Sequence, residues 1–277
     1  MSASIGTALE QARALGLERL DAQLLLAKTL LRPRAWLIAH DDEQLSPAQV
    51  DAFEADCRRR ADGEPLAYVL GEREFHGLRL QVSPAVLVPR PDTETLVDWA
   101  LQLLGTPLAE APEVADLGTG SGAIALALKH RHPAAHVCAV DCSDGALDVA
   151  RANAARHGLQ VEWLLGDWWQ PLQGRRFDLV VSNPPYVAGD DPHLAALRHE
   201  PALALTPGGD GLAALARIVH NAAAHLRDGA WLLLEHGHEQ AGAVCRLLAD
   251  AGFEAAQTRA DLAGKPRCSG GRWKTNR

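Results

Sequence analysis

The 277-residue sequence predicts an α/β protein: a doubly wound parallel sheet that ends in an antiparallel hairpin, behind a small helical N-terminal domain. Three observations predict it. From residue 113 on, short apolar runs alternate with helical stretches, as strand and crossover helix do in a parallel sheet. The first of these runs feeds directly into a glycine-rich turn. Residues 4–62, by contrast, show only helical spacing.

In the helical part, Leu20, Leu24, Leu25, Ala27 and Leu30 recur at helical intervals. Ser46 reads as an N-cap, with Pro47 at the first helical position and Gln49 closing a capping box. An Asp-Gly-Glu-Pro break follows at 62–65. The period then changes. Phe75, Leu78, Leu80 and Val82 alternate with polar neighbours, which predicts a β-hairpin turned near Gly77. Val88-Pro89-Arg90-Pro91 stops any regular element, and Asp92 is expected to cap a helix running to about Leu104. This divides the chain into a helical domain over 1–65, a hairpin linker over 66–90 and a larger domain over 91–277. Strands are expected near 113–117, 136–141, 161–165, 177–182 and 230–235, and helices near 121–131, 144–157 and 212–226. Phe253–Thr258 and Arg272–Thr275 are expected to form the terminal hairpin.

Composition removes several classes. With 47% hydrophobic and 22% charged residues the chain is an ordinary globular one and not a disordered one. Apolar runs such as Trp231–Leu234 are far short of the ~20 residues a bilayer requires. Glu10, Arg13, Glu18, Arg19 and Asp21 interrupt any signal-peptide core, so the expected location is the cytoplasm. A net charge of −8 argues against a general nucleic-acid binder. The basic clusters at Arg58–Arg60 and in the tail (Lys265, Arg267, Arg272, Lys274, Arg277) are either solvated surface or a contact for a partner. Cys57, Cys138, Cys142, Cys245 and Cys268 are odd in number and scattered, which fits reduced thiols better than disulfides or a zinc site.

The chemistry is concentrated in two loops. Glu113–Leu117 runs into Gly118-Thr119-Gly120-Ser121-Gly122, where glycine lets the backbone turn sharply and a ligand approach the main chain. The next strand ends in Asp141, 19 positions after Gly122, placed to accept from a ribose diol. The third ends in Gly166-Asp167-Trp168, where Asp167 could accept from an adenine amino group and Trp168 could cover the ring. The Gly-x-Gly-x-Gly spacing lacks the third glycine of a pyrophosphate fingerprint, which favours S-adenosylmethionine over NAD.

The fourth strand runs into Asn183-Pro184-Pro185-Tyr186. Ligands on such sheets bind beyond the carboxyl ends of the strands, so this loop should lie beside the cofactor loop. Two prolines stiffen the backbone and remove donors, leaving carbonyl acceptors. Asn183 adds an acceptor oxygen and Tyr186 a flat face. The set matches a planar amino or amide group whose two N–H bonds point at the Asn183 oxygen and the Pro184 carbonyl. No strong base is present, so catalysis would rest on positioning and on acceptors that polarise the N–H bonds.

Asn183-Pro184-Pro185-Tyr186 after a fourth strand resembles the amino-methyltransferases that modify planar nitrogen in adenine, guanine or glutamine. Arg73-Glu74-Phe75, Val88-Pro89-Arg90-Pro91-Asp92-Thr93-Glu94 and Leu234-Glu235-His236-Gly237 narrow the resemblance to the release factor glutamine methyltransferases (PrmC/HemK). It runs over almost the whole chain, although the Cys268–Trp273 tail departs from the family's usual ending. The related ribosomal protein glutamine methyltransferase has Ser-Pro where this chain has Pro-Asp-Thr-Glu.

The resemblance implies a Rossmann-like class I methyltransferase sheet. It also implies methyl transfer from S-adenosylmethionine to the side-chain amide nitrogen (N5) of the Gly-Gly-Gln glutamine in peptide chain release factors, leaving S-adenosylhomocysteine. Gly118, Thr119, Gly120, Ser121, Gly122, Asp141, Asp167, Trp168 and Asn183 would hold the cofactor, and Asn183, Pro184, Pro185 and Tyr186 the glutamine. The helical domain would help dock the release factor. Arg90 would either line the cleft or pair with Asp92 or Glu94. No metal, nucleic-acid or membrane partner is implied, and nothing demands more than a monomer.

Three groups carry weaker readings. His236, His238 and Glu239 lack an obvious further metal ligand. Asp190, Asp191 and His193 read as a solvated loop. Trp163, Trp168 and Trp169 suggest a stacking platform, with core packing expected for at least two. The competing functions are an adenine amino-methyltransferase, which requires a basic groove, the ribosomal protein enzyme, a non-catalytic nucleotide-binding module and an NAD-dependent dehydrogenase.

Overall fold

The computed structural model describes residues 3–106 and 110–275; Arg277 of the basic tail lies outside them. Two compact units divide the chain, one reaching to Arg73 and the other starting at Glu74.

The first unit is helical: α1 (Ile5–Ala14), α2 (Arg19–Leu30), α3 (Arg34–Ala39), α4 (Pro47–Ala61) and α5 (Leu66–Leu70). Ile5, Leu25, Leu26, Leu37 and Phe53 form its core. The capping box is present with both bonds: Ser46 N–H donates to Gln49 Oε1 at 2.9 Å, and Gln49 N–H to Ser46 Oγ at 3.3 Å. Such a cap contributes about 1 kcal/mol. The Arg58–Arg60 cluster is paired inside its own unit, Arg58 with Glu54, Arg59 with Glu64 and Arg60 with Asp21. That pairing explains the cluster as surface salt bridges, each worth less than about 1 kcal/mol.

The hairpin β1 (Glu72–Phe75) and β2 (Leu78–Gln81) turns at His76 and Gly77, both at positive φ (48° and 83°). Two consecutive left-handed residues give a turn whose twist matches the flanking strands.

Then come α6 (Glu94–Leu104), β3 (Glu113–Leu117), α7 (Ala123–Arg131), β4 (His136–Asp141), α8 (Asp144–His157), β5 (Glu162–Leu165) and β6 (Phe177–Ser182). A short α9 (Ala202–Leu205), α10 (Ala213–Asn221), β7 (Leu226–Glu235), α11 (Ala241–Asp250), β8 (Glu254–Ala260) and β9 (Pro266–Arg272) complete the unit. The seven-stranded sheet has the order β5-β4-β3-β6-β7-β9-β8; β9 alone runs antiparallel to its neighbours. Alternate residues serve opposite faces. Val114, Leu179, Val181 and Leu233 pack with Leu96, Trp99 and Leu126 on one side. Ala115, Val180, Leu232 and Leu234 pack with Leu215, Ile218 and Leu248 on the other.

The structure corrects four expectations. The second hairpin strand is Pro266–Arg272, not Arg272–Thr275. Its glycines are required by crowding: a Cβ on Gly270 would lie 2.4 Å from Leu233 Cδ2 and 2.8 Å from the Leu232 carbonyl. Helix α11 lies where the sequence reading placed no element, although Val244, Leu247 and Leu248 do recur at helical spacing. The fifth strand begins at Leu226, four residues before the expected 230. Asp92 caps nothing. It sits in a 3-10 turn over Pro91–Thr93, and its carboxylate faces Arg267 at 3.1 Å.

Candidate active site

Strands β3 and β6 are neighbours, with Leu117 opposite Ser182. Their carboxyl ends therefore bring Gly118–Ser121, Asn183 and Pro185 to one cleft, which Asp141 at the end of β4 also lines; Gly122, Pro184 and Tyr186 are not among its lining residues.

The first loop folds around backbone geometry. Gly118, Gly120 and Gly122 all have positive φ (73°, 55° and 81°), a region that costs other residues energy. The Gly118 and Thr119 N–H groups both donate to the Val140 carbonyl, at 2.8 and 3.0 Å. The Asp141 carboxylate accepts from Gly120 N–H at 2.8 Å and from Ser143 N–H at 2.9 Å. Burial raises its pKa, and those backbone bonds work against the rise. A carboxylate has about four acceptor positions, so lone pairs remain for a ligand.

Two residues that the sequence reading did not single out hold this loop. Asp116 is fully buried; its Oδ2 accepts from Thr119 Oγ1 at 2.7 Å and from Ala125 N–H at 3.2 Å. Its other oxygen has no hydrogen-bond partner, and burial pushes the carboxyl up to about 7. Asn153, also fully buried, donates to the carbonyls of Ser121 and Gln81 and accepts from Gln81 N–H. A carboxylate at the end of an apolar strand was a sequence signal for Asp116; Asn153, inside a helix, offered none.

Asp167 and Trp168 line a smaller crevice that shares Gly118 and Asp141 with the cleft. Trp168 has a left-handed φ of 51°, and a Cβ on Gly118 would come within 3.1 Å of its ring. Asp167 Oδ2 pairs with Arg217 at 2.7 Å, a partner that competes for the oxygen assigned to adenine. Trp169 is core: it is buried, stacks on His225 at 4.7 Å and donates Nε1–H to the Ile218 carbonyl. Trp163 packs against the same core that holds Leu126 and Ala154.

The second loop is held by side chains far away in sequence. Asn183 donates from Nδ2 to Thr93 Oγ1 at 3.3 Å, which turns its carbonyl oxygen away from Thr93. Tyr186 Oη–H donates to the buried Glu235 at 3.1 Å, and the Tyr186 carbonyl accepts from Gln240 Nε2 at 3.0 Å. Gly211 has φ +79°, and a Cβ there would fall 2.2 Å from the Tyr186 carbonyl oxygen, so only glycine fits.

Arg90 lines the cleft and pairs with Glu200, not with Asp92 or Glu94. Glu200 also accepts from Val88 N–H at 3.1 Å. This buried carboxylate thus ties the Val88–Arg90 segment to Pro201, Leu203 and Ala204, which form the cleft's far wall. His236 is buried, bonded to Ser269 Oγ at 2.7 Å and to the Gly237 carbonyl at 2.8 Å, and His238 faces only Glu239 at 3.8 Å. Among the described residues no group of three or more His, Cys, Asp or Glu is arranged to hold a metal. His193 and Asp191 pair with each other at 2.7 Å in an exposed loop.

The chain matches known proteins along most of its length. The model of the PrmC N-terminal domain matches residues 4–71, and that of the methyltransferase small domain residues 93–210. The chain is 51% identical to the release factor glutamine methyltransferase of Xylella fastidiosa (strain Temecula1), over 92% of this chain and 94% of that one. It is 50% identical to the enzyme of the same name from Bordetella pertussis, over 92% and 95%. A crystal structure of a methyltransferase from Pyrococcus furiosus shares the fold, with a TM-score of 0.54 at 19% identity, covering 72% of this chain and 90% of that one.

Proposed function

The chain belongs to the release factor glutamine methyltransferase family, and from that premise we propose that its cleft transfers a methyl group from S-adenosylmethionine to the N5 nitrogen of a release factor glutamine. One observation carries the reading: the glycine loop, the Asp141 carboxylate, Asn183 and Pro185 line a single cleft.

The residues fit such a cofactor. Asp141 offers its remaining lone pairs to a ribose diol, Gly118 and Gly120 leave the backbone open to close approach, and Val86, Leu87 and Ile124 supply apolar walls. Trp168, with Asp167 at its side, takes the ring end of the ligand. When bound, the sulfonium supplies an electrophilic methyl group and leaves as a neutral thioether. The protein's part is to aim the acceptor. An amide nitrogen attacks poorly because its lone pair is delocalised. The Asn183 oxygen and the Pro184 carbonyl take its two N–H bonds, and Tyr186 supports one face of the group. As the N–C bond forms, the nitrogen becomes positive, and those acceptors stabilise it until a proton leaves to water. Alignment within about 3–3.5 Å of the methyl carbon supplies the rest of the acceleration.

The helical unit, which matches the PrmC N-terminal domain, helps dock the protein substrate. The cleft is complete within one chain, so the reading asks for no second copy. No helix among the described residues is long and apolar enough to cross a membrane, in keeping with a substrate that works in the cytoplasm.

The direct test offers the enzyme labelled S-adenosylmethionine with a release factor, a ribosomal protein and DNA in parallel. Label on the release factor, mapped to the Gly-Gly-Gln glutamine, is the expected result. Label on DNA or on the ribosomal protein alone overturns it.

A further inference from the structure

Two motifs flank the reacting groups without touching the substrate in the reading above: the segment ending in Thr93-Glu94 and Leu234-Glu235-His236-Gly237. Thr93, which lines the cleft, bonds Asn183, and Glu235 bonds Tyr186. Glu235 is 1% exposed at the end of β7. One of its oxygens accepts from Tyr186 Oη, while the other is buried and has no hydrogen-bond partner among the described residues. Burial pushes the carboxyl up to about 7, and hydrogen bonding from Thr93 and then Tyr186 pulls it down. Thr93 is itself buried, and its Oγ1 receives the Asn183 amide. Arg267, which pairs with Asp92 and Asp261, supplies the neighbouring positive charge. A half-satisfied buried carboxylate is a costly thing to keep where an apolar side chain would pack more favourably. It is kept for what it does to its neighbours.

We propose that Thr93 and Glu235 are positioning residues that set the direction of the acceptor hydrogen bonds. Above about 7 the Glu235 carboxyl is ionised and can only accept, so it takes the Thr93 hydroxyl proton. The Thr93 oxygen is then left as an acceptor, and Asn183 must present its nitrogen to it. The Asn183 oxygen is thereby committed to the substrate side. A flipped Asn183 would show its N–H bonds to a carboxamide that itself brings N–H bonds, and the acceptor would be lost. The same carboxylate fixes the Tyr186 ring through its hydroxyl. Thr93 and Glu235 thus act on the reaction only through Asn183 and Tyr186.

This rests on the methyl-transfer reading, and a wild-type control keeps the two apart: a wild-type enzyme inert toward release factor fails that reading, not this one. With an active wild type, three variants and one combination test the chain. Thr93→Val removes the hydroxyl at nearly constant volume. It is expected to lower kcat at least about tenfold, with S-adenosylmethionine affinity and release factor KM within about threefold. Thr93→Ser restores the hydroxyl and is expected to recover most of the loss. Glu235→Gln, which can donate toward Thr93, is expected to lower kcat as well. The double variant Thr93→Val/Glu235→Gln should be no slower than the slower single one, because both break one chain of bonds. Wild-type kcat in Thr93→Val overturns the proposal. So does Thr93→Ser as slow as Thr93→Val, or losses that multiply in the double variant. Should Thr93→Val fail to fold, Thr93→Ser against Glu235→Gln decides: the serine variant must keep kcat and the glutamine variant lose it.

Discussion

The two loops of the cleft are built in opposite ways. The glycine loop is fixed by its own neighbourhood: positive-φ glycines, the Val140 carbonyl, and Asp116 and Asp141 on adjoining strands. The acceptor loop is fixed from a distance, by Thr93 ahead of β3 and by Gly211, Glu235 and Gln240 after β6. A backbone cradle tolerates a range of motion in a ligand held by many weak contacts. A methyl acceptor has to be aimed, and aiming is done by side chains that are themselves held. The two loops should therefore fail separately.

The largest expected effect comes from the acceptor itself. Asn183→Ala removes the oxygen that receives the substrate amide and should lower turnover by at least about 100-fold, on the scale of losing one developing-charge acceptor. Nearly as large is Gly211→Ala. Its Cβ would collide with the Tyr186 carbonyl 2.2 Å away, so the acceptor loop must shift. Turnover should fall at least about tenfold, since misplacement of about 1 Å is that costly, while calorimetry shows cofactor affinity unchanged. On the other side of the comparison, Asp141→Ala removes an anchor of the glycine loop as well as the ribose acceptor. Cofactor binding should weaken by about 10- to 100-fold, given about 1.5–3 kcal/mol for a hydrogen bond to a charged group.

The smallest effect separates loop stability from chemistry. Asp116 is held protonated up to about 7 by burial, against a value of 3.8 when exposed. Between those values the folded chain keeps a proton that the unfolded chain has released, so stability falls as pH rises through that window. Asp116→Asn should flatten that fall by about 2 kcal/mol, measured as denaturant unfolding at pH 5 and pH 7.5. An unchanged slope would show that the carboxylate ionises freely in the fold.

The same contrast explains what was legible in the sequence. The glycine loop, Asp141, the hairpin turn at Gly77 and the Ser46 cap are all local, and each was readable because neighbours in sequence are the partners in space. The succession of strands and helices followed from the alternation of apolar runs, whereas the order of the strands in the sheet is set by long-range pairing. The acceptor loop could be recognised from Asn183–Tyr186, yet nothing in those four residues says that Thr93 and Glu235 stand behind them, 90 and 49 positions from the residues they hold. Arg90 is a similar case: its nearby carboxylates, Asp92 and Glu94, were the natural partners by distance along the chain, and Glu200 took the place. In the tail, Gly270 and Gly271 argued against a strand by propensity, whereas packing against Leu233 and Phe253 demands residues without side chains there. Helix α11 carries no side-chain cap of its own, because the Gln240 oxygen accepts from Gly237 N–H while its nitrogen donates to the Tyr186 carbonyl.

The most direct test of this division is calorimetric titration of S-adenosylmethionine into Asn183→Ala and Asp141→Ala, with turnover on release factor measured in the same preparations. Asn183→Ala is predicted to bind the cofactor like the wild type and to be inert; Asp141→Ala is predicted to bind weakly and to recover turnover as the cofactor is raised. An Asn183→Ala enzyme that keeps turnover within a few-fold of wild type, or that loses the cofactor as Asp141→Ala does, would contradict the account.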